Sequence, residues 1–367
     1  MATSLDRIPS TPARPGRTGT GPPRRVPLPV LLAVLGAALP LSLVCGAGLG
    51  ASGLSWGEVL RYLGAGLSGG AIAPDEVSAY TIVWELRLPR TLLAAVVGAG
   101  LSAIGVAVQA MVRNALADPF VLGISSGAAV GANAVLIFGA FGALGIWALS
   151  TAAFLSALLA MVLVYLVART ERGLTPLRLV LTGTALYYGF SAVTTFMVFA
   201  AERGEAARSA MMWLLGSLSG ANWDSLPLVT AVVCAGLGHL AWSARGLNAL
   251  AMGDETAAAL GVDPGRLRKR LFVVSAAVTG AVVAVSGAIG FVGLMVPHAV
   301  RMLVGADHRK LLAVAPLAGA VLLVWVDILS RLVLAPAELP VGVLTAVIGV
   351  PCFLLLMRRG SYSFGGI

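Results

Sequence analysis

Few residues in this chain are of a type and spacing that could do chemistry. ATP hydrolysis needs a phosphate-cradling G-x-x-x-x-G-K-[ST] loop, and neither of the two lysines, Lys269 and Lys310, lies in that context. Gly123-Ile124-Ser125-Ser126-Gly127 offers serine hydroxyls, with His298 as a conceivable base. Nucleophilic catalysis, however, needs serine and histidine within hydrogen-bond reach of one another and a third, orienting group. Small polar residues at a helix start explain the same pattern. The histidines His239, His298 and His308 lack zinc-ligand spacing, and Cys45, Cys234 and Cys352 stand isolated in apolar runs without metal or redox spacing. No resident cofactor or metal is expected, and an intramembrane hydrolase is the third-ranked function.

Three polar residues lie inside apolar stretches. Asp327 is an acid well inside a predicted span, which makes it a functional candidate by default, either as a proton relay or as the partner of Arg331 four residues on. A single acid without relay partners on other spans disfavours ion coupling. Gln109 and Asn133 interrupt apolar helices as interhelical glue or as pathway-lining groups.

The elements that must position these residues are membrane spans. Of 367 residues, 58% are apolar, 11% are charged and 45 are glycine, which excludes a soluble globular domain. A span needs roughly 20 apolar residues to cross about 30 Å of hydrocarbon. That criterion predicts an all-α polytopic membrane protein of about ten transmembrane helices: 27–50, 91–111, 119–140, 146–168, 176–200, 225–242, 270–290, 292–304, 311–334 and 341–357. The eighth is too short to span alone. Gly, Ala, Ser and Thr are frequent, as in Gly98-Ala99-Gly100-Leu101-Ser102-Ala103, which lets helix backbones approach closely. No internal repeat is evident, which weighs against an inverted-repeat secondary transporter.

The net charge of +9 is a topology signal rather than a nucleic-acid footprint, because 19 of the 25 Lys and Arg residues fall on one side of this scheme. The exceptions are Arg61, Arg87, Arg90, Arg203, Arg208 and Arg331. Both termini are therefore expected in the cytosol of a cell-membrane protein, as a disordered basic tail (1–25) and a short C-terminal tail (359–367) around a permease domain at 26–358. Outside the membrane, Trp56 to Leu63 reads as an amphipathic interfacial helix, 201–224 as a short helix returning toward the membrane, and the turn near Gly290 as extracytoplasmic.

The longest polar island is Arg245 to Arg270, RGLNALAMGDETAAALGVDPGRLRKR. Gly253 breaks a first turn, Asp254 is an expected N-cap for Glu255 to Leu260, Gly261 is an expected C′ stop, and Asp263-Pro264 signals a restart. Arg266, Arg268, Lys269 and Arg270 then precede the next apolar run on the cytosolic side.

GDETAAALGVDPGRLRKR resembles the cytoplasmic loop through which FecCD-type permeases of iron-chelate and vitamin B12 ABC importers engage their ATPase. Arg87 to Ala128 and Gly287 to Pro351, with GFVGLMVPH, ADHRKLL, APAELPVG and VIGVP, resemble that family's other signature stretches in the same order. Ala115 departs from the proline usual there. The resemblance covers residues 50 to 358 and implies a permease subunit importing an iron siderophore, haem or cobalamin-like compound. It further implies a second permease subunit, two separate ATPases that carry ATP and Mg, and an extracytoplasmic binding protein. On this reading Gly253, Asp254, Glu255, Thr256, Leu260 and Gly261 couple to the ATPase. Arg87 and Arg90, matching the family's RLPR, and Arg331, before AELP, dock carboxylates of the binding protein. An ion-coupled secondary transporter is the alternative.

Overall fold

The computed structural model describes residues 26–50, 53–170 and 173–359. The expected N-terminal tail, all but the first residue of the C-terminal tail, and Glu171-Arg172 lie outside them.

The first helix, α1 (Leu28–Gly48), is apolar on all sides and buries little beyond Ser42, Gly46 and Ala47, as a lipid-facing span should. The amphipathic helix expected at Trp56 is α2 (Trp56–Ser68). It begins with a capping box: Ser55 Oγ accepts the Glu58 N–H, and the Glu58 carboxylate accepts the Ser55 N–H at 2.8 Å. Its Val59 and Tyr62 pack on Ala47 and Val83. A short α3 (Val77–Thr81) runs through a π-helical stretch into α4 (Leu88–Met111), which is buried almost all round.

Next come α5 (Ile124–Phe138) and α6 (Ala148–Ala168), then a minimal antiparallel hairpin, β1 (Arg169–Thr170) and β2 (Gly173–Leu174), then α7 (Pro176–Phe199) and the predicted short helix α8 (Gly204–Leu214). A 60° bend separates α9 (Leu226–Trp242) from α10 (Ala244–Ala251). The island continues as α11 (Asp254–Ala259), and the chain closes with α12 (Pro264–Ser286), α13 (Val292–Val304), α14 (His308–Leu332) and α15 (Val341–Arg359). Each of the ten predicted spans coincides with an apolar helix, and six of these are long and apolar enough to cross a membrane unaided. The protein is a multi-pass membrane protein.

The bundle is built around α4, which packs on α9, α12, α13 and α14. Small residues decide how near its neighbours come. A Cβ added at Gly98 would collide with the Gly319 carbonyl of α14, and one at Gly105 with the Gly293 carbonyl of α13. Where lipid supplies no hydrophobic drive between helices, such close approach supplies dispersion contacts instead.

The structure corrects the placement of Gly290. It lies beside the Phe120 ring, and Gly293, in the first turn of the next helix, sits against Pro119 and the Leu101 carbonyl, level with the middle of α4. The irregular segments 115–123 and 287–291 therefore meet inside the bundle rather than at a surface. Both α5, with 15 residues, and α13, with 13, start there, so each covers only roughly 20 Å of depth. Non-helical backbone at such depth is tolerated only where protein groups satisfy it. Asp118 does this: its carboxylate accepts the Phe120 N–H at 2.8 Å and also the Phe291 N–H at the start of α13.

Candidate functional site

The island forms as expected in outline and differs in one cap. Gly253, at φ +115°, stands at the N-cap position, and Asp254 is the first helical residue instead of the cap. An acid in the first turn still complements the helix dipole. Its carboxylate is drawn away from the backbone by Arg268, whose Nη1 donates to Oδ2 at 2.9 Å and whose Nη2 donates to Oδ1. That hydrogen-bonded pairing holds the Asp254 carboxyl below its ordinary 3.8. The pair thus stabilises the fold fully above that value and loses its contribution only as pH falls through the lower folded one, so it is intact at neutral pH.

The end of α11 is a complete Schellman motif. Gly261 takes φ +79°, its N–H donates to Ala258 O at 2.9 Å, and the Val262 N–H reaches Ala257 O at 2.9 Å. Asp263 then caps α12 by accepting the Arg266 N–H at 3.0 Å. A Cβ at Gly261 would meet open space, so Gly261→Val acts through backbone strain alone, about 1–3 kcal/mol. The expected result is loss of coupled ATPase stimulation with normal membrane insertion; an unchanged stimulation ratio would remove Gly261 from the coupling set.

Two anchors mount the island on the bundle. Asn248 on α10 donates to Asp307 at 2.9 Å and accepts the His308 N–H at 2.9 Å, which ties α10 to the start of α14. The Asp254–Arg268 pair ties α11 to α12. Of α11 itself only Ala257 is buried, while Glu255, Thr256, Ala258 and Ala259 face outward with Leu260 and Met252. The result is a firmly held, partly apolar surface that the protein's own core leaves uncovered.

At the opposite end, Arg87, Arg90 and Arg331 do not present the exposed forks expected for docking; each is only 8% exposed. Arg90 Nε donates to Asp327 Oδ1 at 2.8 Å, and its Nη1 donates to both Glu338 oxygens at 2.9 Å. Arg331 lies 3.2 Å from Asp327 Oδ2, an ion pair without hydrogen-bond geometry, and its Nη2 donates to Gly46 O at 3.0 Å. Arg87 donates to Gly48 O at 2.8 Å. The last carbonyls of α1, which have no helical N–H to accept, are thus satisfied by two guanidiniums at the negative end of the helix dipole. Sequence alone showed arginines near span ends; it did not show that the end of α1 would be their acceptor.

Asp327 therefore binds α4 to α14. Gln109 binds α4 to α13, donating to Leu294 O at 3.2 Å and accepting from Arg301 at 3.3 Å. Asn133 is fully buried, and neither amide atom has a hydrogen-bond partner among the described residues. Ser126 Oγ donates to Gly123 O at 3.0 Å, the ordinary bond of a helix start.

Two features escaped the sequence reading. One is Arg268, which stands among Arg266, Lys269 and Arg270 yet is the one of these four that is buried. The other is α7, the least apolar of the six long spans, most of whose length is left uncovered by the rest of the protein. Thr184, Tyr188, Ser191 and Thr195 follow i, i+4, i+7, i+11 and make one polar stripe, with Tyr188 68% exposed. The spacing was available in the sequence; its exposure was not. Close to the arginine cluster, a cavity of about 490 Å³ is lined by Trp147, Met212, Trp213, Ser217, Ser286 and Glu338, among others.

This architecture has relatives. The family model of the FecCD transport family matches residues 29–359. The cobalamin import system permease protein BtuC of Halobacterium salinarum is 45% identical over 282 residues, 77% of this chain and 74% of that one. The hemin transport system permease protein HmuU of Yersinia pestis is 42% identical, covering 76% of this chain and 83% of its own length. The Fe(3+)-citrate import system permease protein YfmD of Bacillus subtilis is 36% identical over 90% of this chain and 93% of its own. An inward-facing structure of a metal-chelate type ABC transporter superposes with a TM-score of 0.78 at 33% identity, covering 90% of this chain and all of that one. With the ten-helix bundle, the basic island and a match over nearly the whole length, the chain belongs to the FecCD transport family.

Proposed function

We propose that this chain is the membrane-spanning permease subunit of an ATP-driven importer for a metal chelate: an iron siderophore, haem or a cobalamin-like compound. The observation that carries the reading is the island, an α11 anchored on both sides whose outward face is left uncovered. A separate ATPase subunit, holding ATP and Mg, docks there; an extracytoplasmic binding protein delivers the chelate at the arginine-cluster end. The polar stripe on α7 supports a pathway between this chain and a second permease subunit, because Tyr and Thr side chains gain nothing from facing lipid. ATP-driven closure of the ATPases then switches the pathway's opening between faces.

The chain sits in the cell membrane with both termini in the cytosol. In a background lacking Cys45, Cys234 and Cys352, Glu255→Cys should react with an impermeant maleimide only from the cytosol and Glu205→Cys only from outside. Reaction of both from one side would reject this orientation. The functional test is co-purification with an ATPase and chelate uptake that requires ATP and ignores ionophores. Ionophore-sensitive uptake without ATP demand would instead establish a secondary transporter, the reading that Asp327, locked between two arginines, supports poorly.

A further inference from the structure

Arg268 is chemically out of place. Arg266, two residues earlier and so on the opposite side of the same helix, is solvated and pairs with Asp263 at 3.0 Å with 83% of its side chain exposed, whereas the Arg268 side chain is 2% exposed. A buried guanidinium carries five N–H donors and needs an acceptor for each. Here two go to Asp254, Nε donates to Met111 O at 3.3 Å, and Nη1 also donates to Leu174 O at 3.2 Å. Met111 is the last residue of α4, and Leu174 in β2 precedes the start of α7 at Pro176 by two positions.

We infer that Arg268 is a transmission latch: its fork makes the end of α4 and the start of α7 follow α11. This rests on the reading of α11 as the ATPase-docking helix. Stability alone is a poor reason for such a residue, since a buried ion pair often contributes no more than apolar side chains of the same volume. What the planar fork supplies is orientation. It holds one carboxylate through two bonds while its remaining donors hold two carbonyls, a geometry the point charge of lysine cannot reproduce. Asp254, with 43% of its side chain exposed, is the member of the network that reaches the docking surface. A displacement of α11 by the ATPase therefore passes through one rigid guanidinium to α4, around which the bundle packs, and to the helix bearing the Thr184–Thr195 stripe. Arg268 is a positioning residue and touches no substrate.

The test uses the full complex of permease and ATPase in proteoliposomes, with Tyr188→Cys as the sole cysteine. Adding ATP, Mg and orthovanadate should change its maleimide labelling rate by about tenfold. Arg268→Lys, which lies buried beneath the docking surface and keeps the charge but not the fork, should bring that ratio close to one while the ATPase still co-purifies. Asp254→Asn should lower the ratio likewise, and Asp254→Glu should keep it. A parental response in Asp254→Asn or in Arg268→Lys overturns the latch. Loss of ATPase co-purification in Arg268→Lys also overturns it, in favour of a role in docking alone. A Tyr188→Cys complex that ignores ATP overturns the coupling reading beneath it, and the latch with it.

Discussion

Replacing Asp327 with asparagine is expected to destabilise the bundle by about 3–5 kcal/mol, the cost of leaving buried charge uncompensated. The shape barely changes, but Arg90 and Arg331, both 8% exposed, then face each other without the carboxylate between them. Arg90 retains Glu338, whose side chain is 43% exposed, while Arg331 retains only neutral carbonyl acceptors among its hydrogen bonds. Glu338→Gln is the matched control. Its pair with Arg90 is partly solvated and Asp327 remains in place, so its cost should be about 1 kcal/mol or less. Thermal unfolding of the purified protein in detergent compares the two. Equal shifts would show that the Asp327 site is not the closed ion cluster described here. The same variant separates the two readings of Asp327. A proton relay predicts lost transport at unchanged stability, whereas a structural clasp predicts lost stability first.

The second large effect is expected at Gly105. A Cβ there would run into the Gly293 carbonyl and carbon, which are backbone atoms and cannot swing aside as a side chain could. Gly105→Ala should therefore cost about 1–3 kcal/mol through overpacking, and Gly105→Leu more, because α4 and α13 must separate. Separation also strains the junction where Asp118 holds the start of α13, and the damage should spread to the Gln109–Leu294 and Gln109–Arg301 bonds one turn further along. Gly189→Ala on α7 supplies the contrast. It is helical, has nothing within 4 Å of the added Cβ, and should be neutral or stabilising by up to about 1 kcal/mol from helix propensity. Thermal stability of Gly105→Ala equal to that of Gly189→Ala would refute the close α4–α13 contact.

The spans were legible in the sequence because hydropathy is a property of a contiguous window and needs no knowledge of neighbours. The caps around Gly261 and Asp263 were legible for a similar reason, as their hydrogen bonds close over three to five residues. Asp254 was misread as a cap because the partner that claims it, Arg268, lies 14 positions on, in another helix. Arg90 meets Asp327 across 237 positions, so the sequence showed an arginine near a span end and could not show that its fork was already occupied. Gly290 was assigned to a surface turn because the count of apolar residues sets a helix's length but not the depth at which it starts. That depth is decided by where Pro119, Gly293 and Gly105 fit against each other. The sequence by itself determined which segments enter the membrane and which end of each is basic, both one-dimensional properties. Which polar groups are spent inside the protein, as with Arg87, Arg268 and Asp327, and which remain exposed, as on α7 and α11, was decided only by tertiary packing, because a buried charge persists only where packing brings it a partner.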